Sequence, residues 1–179
     1  MSGKIMCAVF IIAVVILTGC SKEAPVFPVE KGPAATDTLT VPENIVDRKA
    51  LLELVNGIRS RGCNCGGEQM PAVGPLTWSG LLEKAAYLHS KDMTINKYFD
   101  HNAPNGSTPA SRIDAAGYRW NVYGENIASG NMEEQAVVLG WLSSPLHCRN
   151  MMKGNFTEFA VGRSERNWTM VLGSRSASH

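Results

Sequence analysis

The chain carries no excess charge of either sign: 17 Lys and Arg face 16 Asp and Glu over 179 residues. Removal of a leader containing Lys4 would leave the two signs balanced. A neutral chain argues against nucleic acid as a partner and against broad electrostatic adhesion to anionic lipid, since both need clustered cations. Nor is there an apolar run long enough to cross a bilayer. Ile5–Leu17 is 13 residues, short of the roughly 20 that a spanning helix needs. Internal repeats and long low-complexity tracts are also missing, which argues against solenoid and fibrous designs.

What is present begins with a processing signal. Met1–Gly3 with Lys4 give a short positive start, and the apolar run suits the core of a signal peptide. It ends in Leu17-Thr18-Gly19-Cys20, which resembles the lipobox of bacterial lipoproteins. Small residues there admit the peptidase, and the Cys20 thiol accepts the lipid. Residues 1–19 are therefore expected to be a leader, with acyl chains on Cys20 as the membrane attachment. Ser21, not Asp, follows that cysteine and is compatible with outer-membrane sorting, so the expected location is extracytoplasmic, at the outer membrane facing the periplasm. Residues 20–44 are poor in large apolar side chains and carry Pro25, Pro28, Pro33 and Pro42, the composition of a flexible tether. Residues 45–175 form one domain large enough to bury its own core, and 176–179 a tail.

Ala50, Leu51, Leu54, Val55 and Ile58 follow helical spacing, predicting a helix over about 46–60 ended by Gly62. Ser79 caps a second, with Leu81, Leu82, Ala85 and Leu88 as its apolar face. Thr108-Pro109 opens a third that stops at Gly117. Asn131–Glu134 resembles a capping box opening a fourth through Trp141, and Ser144-Pro145 opens a short fifth. Strands are expected at Val122–Ala128, Phe156–Val161 and Trp168–Leu172. Helices interspersed with a few strands suggest an α+β layered domain.

His101, Glu125 and His147 lie 24 and 22 residues apart, so only the fold can bring them together. Gathered, they would make a two-histidine, one-carboxylate site. With Ser144 as cap and Pro145 as first helical residue, His147 falls in a first turn, whose free N–H groups disfavour the imidazolium. Neutral imidazole is what Zn2+ or another divalent cation needs, and three ligands leave a position open for water. The same residues can also form a hydrogen-bonded His–Glu–His cluster that orders a groove without metal. Ser144, His147 and Glu125 supply the residue types of a hydrolase triad, but Ser144 is already a cap and no nucleophile elbow surrounds it. Glu158 is the remaining candidate base, expected to pair with Arg149 or Arg163. His89 is expected to be packed or half-exposed, and His179 has no assigned role. Tyr118, Trp120 and Tyr123, with the polar loop 102–107, suit a glycan, a peptide or a lipid headgroup, although aromatics on strands usually belong to a core.

Five short motifs in order, Phe99-Asp-His101, Gly124-Glu-Asn126, Trp141…Ser144-Pro-x-His147, Phe156-Thr-Glu158…Gly162 and Trp168-Thr-Met-Val-Leu-Gly173, resemble the bacterial branch of the CAP superfamily. That superfamily includes cysteine-rich secretory, venom-allergen and pathogenesis-related proteins. The resemblance covers about residues 46–174. It implies a three-layer α-β-α sandwich with a small central antiparallel sheet and a groove built from two histidines and two acids, holding a divalent metal in some members. His101, Glu125 and His147 match; the second acid falls on Ser144. Leu146 stands where bacterial relatives usually have Gly, narrowing the cleft beside His147, and Met170 where they usually have Gln. Asn126, Ser144 and Glu158 are site-adjacent on the same grounds.

With Cys7 in the leader and Cys20 lipidated, three cysteines remain: Cys63, Cys65 and Cys148. An odd number outside the cytoplasm leaves one thiol over. The resemblance favours Cys65–Cys148, with Cys63 as the alternative partner and a Cys-x-Cys metal site as the outside reading. The leading expectation is a non-enzymatic, lipid-anchored binding module for a small lipid, glycan or protein ligand of the envelope. A metal-assisted hydrolase acting on peptide or cell-wall material is the rival, and a purely structural envelope protein the third.

Overall fold

Phe159-Ala-Val161 and Trp168-Thr-Met-Val-Leu172 carry almost no polar residue on either side of the strand, so both faces of the sheet they form need cover. The computed structural model, which describes residues 39–176, supplies it. The elements run α1 (Arg48–Arg61), β1 (Cys63–Cys65), β2 (Glu68–Met70), β3 (Thr77–Trp78), α2 (Gly80–Asn96), α3 (Pro109–Ala116), β4 (Trp120–Ser129), α4 (Glu134–Ser143), α5 (Pro145–Met151), β5 (Glu158–Ser164) and β6 (Asn167–Arg175). The main sheet has the order β3-β5-β6-β4, and β1 and β2 form a separate hairpin. The β5–β6 and β6–β4 pairings are antiparallel, and the two-residue β3 joins β5 in parallel.

Alternation along β5 and β6 sorts the core into two halves. Phe159, Val161, Trp168, Met170 and Leu172 point into one, packed with Leu51 and Val55 of α1, Val137, Val138 and Trp141 of α4, and Met151 of α5. Ala160 and Val171 point into the other, with Leu82, Ala85 and Ala86 of α2, Ile113 of α3 and Tyr118. The result is the expected three-layer α-β-α sandwich. Each large apolar side chain fully buried this way contributes roughly 1.5–3 kcal/mol. Gly162 lets α2 approach closely, because a Cβ there would overlap the Ala86–Tyr87 backbone.

The start signals were legible where hydroxyls cap. Ser79 accepts from the Leu82 N–H, and Thr108 and Ser111 exchange a reciprocal capping box. At α4 the expected box does not form: the cap position is Glu133, without a side-chain hydrogen bond. Leu88 is 48 % exposed; the buried face of α2 is Leu82, Ala85, Ala86, His89 and Met93, rotated from the expected one. The expected tether also ends earlier than residue 45. Val41 and Asn44 are buried, and the Asn44 amide bonds Glu83 (2.9 Å) and the Val161 carbonyl (2.9 Å). The leader, Cys20 and residues 21–38 of the tether lie outside the described residues.

Candidate functional site

The site forms at the open edge of the sheet. β4 is an edge strand, and neighbouring residues on it face opposite sides. Glu125, opposite Val171, faces α2 and α3; Asn126, opposite Met170, faces α5. His101 approaches from the loop after α2 and His147 from the first turn of α5. The two imidazoles therefore meet across the strand edge, in a cavity of about 340 Å3 lined by His101, Glu125, Asn126, His147, Asn150 and a cationic rim. A larger hollow of about 630 Å3 lies between α1 and α4, but its walls are mainly Leu54, Ile58, Val138, Leu139 and Leu142, and no histidine reaches it.

Glu125 is the hub, with its side chain only 4 % exposed. Its Oε1 lies 2.8 Å from His101 Nδ1, and its Oε2 accepts from Arg112 Nη2 at 2.9 Å. The same Arg112 nitrogen donates to the His101 carbonyl at 2.8 Å, so one guanidinium holds both residues. Behind them sits His89, fully buried, with Nε2 3.8 Å from Glu125 Oε1 and no hydrogen bond. The Tyr98 hydroxyl donates to Asp92 and stands 3.4 Å from His89 Nδ1. The hydrogen bond to Glu125 raises the His101 pKa against the opposing effect of burial. Burial lowers the His147 pKa, with a further push from the His101 charge. Burial also lowers that of His89, and the Glu125 charge opposes the shift.

On the other side of β4, amides do the positioning. Asn126 Nδ2 donates to the His147 carbonyl (3.1 Å), and Asn150 Nδ2 donates to Asn126 Oδ1 (2.9 Å) and the Glu125 carbonyl (3.3 Å). Gly124 makes room for this, since a Cβ there would collide with the Asn150 amide.

His101, Glu125 and His147 thus share one cavity, but not as a closed ligand set. Among the described residues, the only three donor side chains with all ligating atoms within 4.8 Å of one another are Cys63, Cys65 and Cys148. Those sulfurs are close enough to hold a metal ion, yet Cys65 and Cys148 are joined as a disulfide and have no thiolate to offer while the bridge stands. At Glu125 the carboxylate is already engaged by Arg112 and His101, so a cation would have to displace them. The residues do not fit a resident metal as they are arranged.

The hydrolase triad does not assemble either. Ser144 occupies the cap position without a side-chain capping bond, and no hydrogen bond links it to His147 or His147 to Glu125 among the described residues. Glu158 is not in the cavity: Arg175 Nε binds it at 3.0 Å and the Tyr118 hydroxyl at 2.6 Å, so its partner is neither Arg149 nor Arg163. Tyr118 is fully buried core. Leu146, expected to narrow the cleft, lines the cavity beside His147 with its side chain largely exposed at the rim. Sequence reasoning missed Arg112, Tyr98 and Asn150, whose roles depend on tertiary contacts. His89 had a signal: it sits seven residues after Leu82, on the buried face of α2.

The family model for the cysteine-rich secretory protein family, CAP, matches residues 52–171. The chain belongs to this family. It is 32 % identical over 146 residues to the uncharacterized protein YkwD of Bacillus subtilis, covering 78 % of this chain and 53 % of that protein. A second relative, the uncharacterized membrane protein YlbC of the same organism, is 28 % identical over 68 % of this chain and 32 % of its own length. The chain thus spans about half or less of the curated relatives it matches. Among solved structures, an extracellular SCP-domain protein from Bacillus anthracis aligns with TM-score 0.63 and 30 % identity, over 72 % of this chain and 40 % of that one. An outer surface protein of Borrelia burgdorferi shares the fold at TM-score 0.61 and 23 % identity, over 72 % and 92 %. No described helix of this CAP protein is long and apolar enough to cross a membrane.

Proposed function

We propose that this CAP domain is a non-enzymatic, extracytoplasmic binding module, anchored through lipid on Cys20, whose edge groove takes a small envelope ligand bearing an anionic group, such as a lipid headgroup or an acidic glycan. The observation that carries the ligand class is the charge balance of the groove. Among the described residues, Glu125 is the only carboxylate lining it, and that charge is met by Arg112 at 2.9 Å. Arg149 and Lys153 stand on the rim beyond them. Arg149 has one weak exposed partner, Glu68 at 3.5 Å, and pairs of that kind contribute little. The groove is therefore net positive although the whole chain is nearly neutral. The extracellular and surface settings of the B. anthracis and B. burgdorferi proteins support the location, and Leu17–Cys20 supports the anchor. Loss of fatty-acid labelling in Cys20→Ser tests the anchor directly.

Titration calorimetry on protein without a histidine tag tests the groove, with inorganic phosphate and zinc chloride as separate probes. Phosphate binding that weakens with added salt and in Lys153→Ala and Arg149→Ala is the expected result. No phosphate binding up to tens of millimolar would count against the anionic ligand class. A stoichiometric zinc site lost in both His101→Ala and His147→Ala would restore the metal reading and justify screening peptide and cell-wall hydrolysis.

A further inference from the structure

The Cys-Asn-Cys of β1 has a consequence independent of the groove. In a strand, residues i and i+2 project to the same side, so Cys63 and Cys65 both point toward α5, where Cys148 follows His147. The bond present joins Cys65 to Cys148, and both residues are 0 % exposed. Cys63 is a free, partly exposed thiol. Its sulfur lies 3.6 Å from that of Cys148 and 3.8 Å from that of Cys65, in contact with both halves of the bridge.

We propose that Cys63, Cys65 and Cys148 form a thiol–disulfide exchange site through which soluble thiols reach an otherwise buried disulfide. The Cys63 thiol gives its proton to solvent, and the thiolate attacks the Cys148 sulfur. The Cys63–Cys148 bond forms, the Cys65–Cys148 bond breaks, and Cys65 leaves as a thiolate that takes up a proton. One disulfide and one thiol stand on each side, so the step needs no oxidant or reductant. The Cys63 sulfur flanks the bond at nearly equal distances from its two ends, so attack along the bond axis follows a rotation of the Cys63 side chain.

Burial gives the exchange its purpose. An external thiol cannot touch either sulfur of the Cys65–Cys148 bridge, but after exchange one member of the bridge is Cys63, which solvent reaches. Attack there releases Cys148 and completes reduction, consuming the external dithiol as its own disulfide. Until then α5, with His147, stays tied to β1 by one bridge or the other. Burial also raises the Cys63 pKa, which keeps the resting thiol mostly protonated and the exchange slow at neutral pH.

The test uses the full chain under native conditions with dithiothreitol, quenched by alkylation and mapped by mass spectrometry. Cys148 of the parent protein is expected to become alkylatable about tenfold faster or more than in Cys63→Ser, in which the relay is missing. Equal rates would mean that the hairpin opens to admit the reductant directly, and would overturn the proposal. Cys65→Ser, oxidised in air, is expected to carry a Cys63–Cys148 disulfide; two free thiols in its folded form would also overturn it. If that variant does not fold, the rate comparison decides alone.

Discussion

Two arginines, one buried and one partly buried, show how differently one residue type can be used. Arg59 on α1 is 0 % exposed and has no carboxylate partner among the described residues. Its guanidinium donates instead to the carbonyls of Gly74 (2.8 Å), Met151 (2.6 Å), Lys153 (3.0 Å) and Phe156 (3.4 Å). Burial lowers its pKa to about 10. Arg112 on α3 donates to a carboxylate, Glu125, and to two carbonyls, those of His101 and Ser107. Arg59 is solvated by fixed backbone dipoles and clamps α1 to the chain that leaves α5. Arg112 is matched by an ionisable group and neutralises the Glu125 charge at the groove. Arg59, held by backbone carbonyls, is architectural; Arg112, whose titratable partner Glu125 lines the groove, belongs to the site.

The largest effect that could break this contrast is on stability. Arg59→Leu strands four carbonyls whose satisfaction comes from one side chain, and each unmet buried group costs about 1–3 kcal/mol before relaxation. A loss of roughly 3–5 kcal/mol in guanidinium chloride unfolding is expected. A loss below about 1 kcal/mol would show that the clamp is incidental.

Arg112→Leu should cost less, about 2 kcal/mol, because His101 remains on Glu125 at 2.8 Å. Glu125→Gln removes the charge that Arg112 meets, so the two changes together should cost less than their sum. A double-mutant cycle should return a coupling of about 1–3 kcal/mol. Additive losses would place Arg112 in the same class as Arg59.

The histidines sharpen the comparison through pH, with opposite signs. His101 has a folded pKa above the unfolded value of about 6.5. Its stabilisation is complete below that value and is lost as pH rises through the folded pKa. His147 has a folded pKa below the unfolded value, so its contribution is present above about 6.5 and is lost as pH falls. His101→Gln should therefore cost more stability at pH 5.5 than at pH 8, read as thermal midpoints across about pH 5–8, while His147→Gln should make the fold less sensitive to acid. The same slope for both variants would mean that the hydrogen bond to Glu125 does not raise the His101 pKa while burial lowers that of His147.

Much of this fold is legible in the sequence, for identifiable physical reasons. Helix starts were readable at Ser79 and Thr108 because the capping hydroxyl is local. The α4 start was misread because Asn131-Met-Glu-Glu has a box's composition without its hydrogen bonds. The β1–β2 hairpin and β3 went unread: each is three residues or fewer, too short for any period. His101, Glu125 and His147 were found because their motifs are distinctive, and the fold does place them in one cavity. What the motifs could not convey is that Arg112 arrives from α3 and occupies the carboxylate that a metal would use. Glu158 was drawn toward the site by its motif, whereas Arg175, seventeen residues on, holds it at the far end of the adjacent strand.

The smallest expected effect tests how open the groove is. Leu146 was expected to narrow the cleft beside His147, yet it is 73 % exposed. A leucine that buries so little surface contributes little to folding, and alanine keeps the helix propensity of α5. Leu146→Ala should change stability by less than about 0.5 kcal/mol. If rim charge rather than width at the mouth governs the proposed binding, the substitution should also leave phosphate affinity unchanged where Lys153→Ala weakens it. Tighter phosphate binding in Leu146→Ala would mean that the side chain folds over the mouth in solution and that access, more than charge, limits binding.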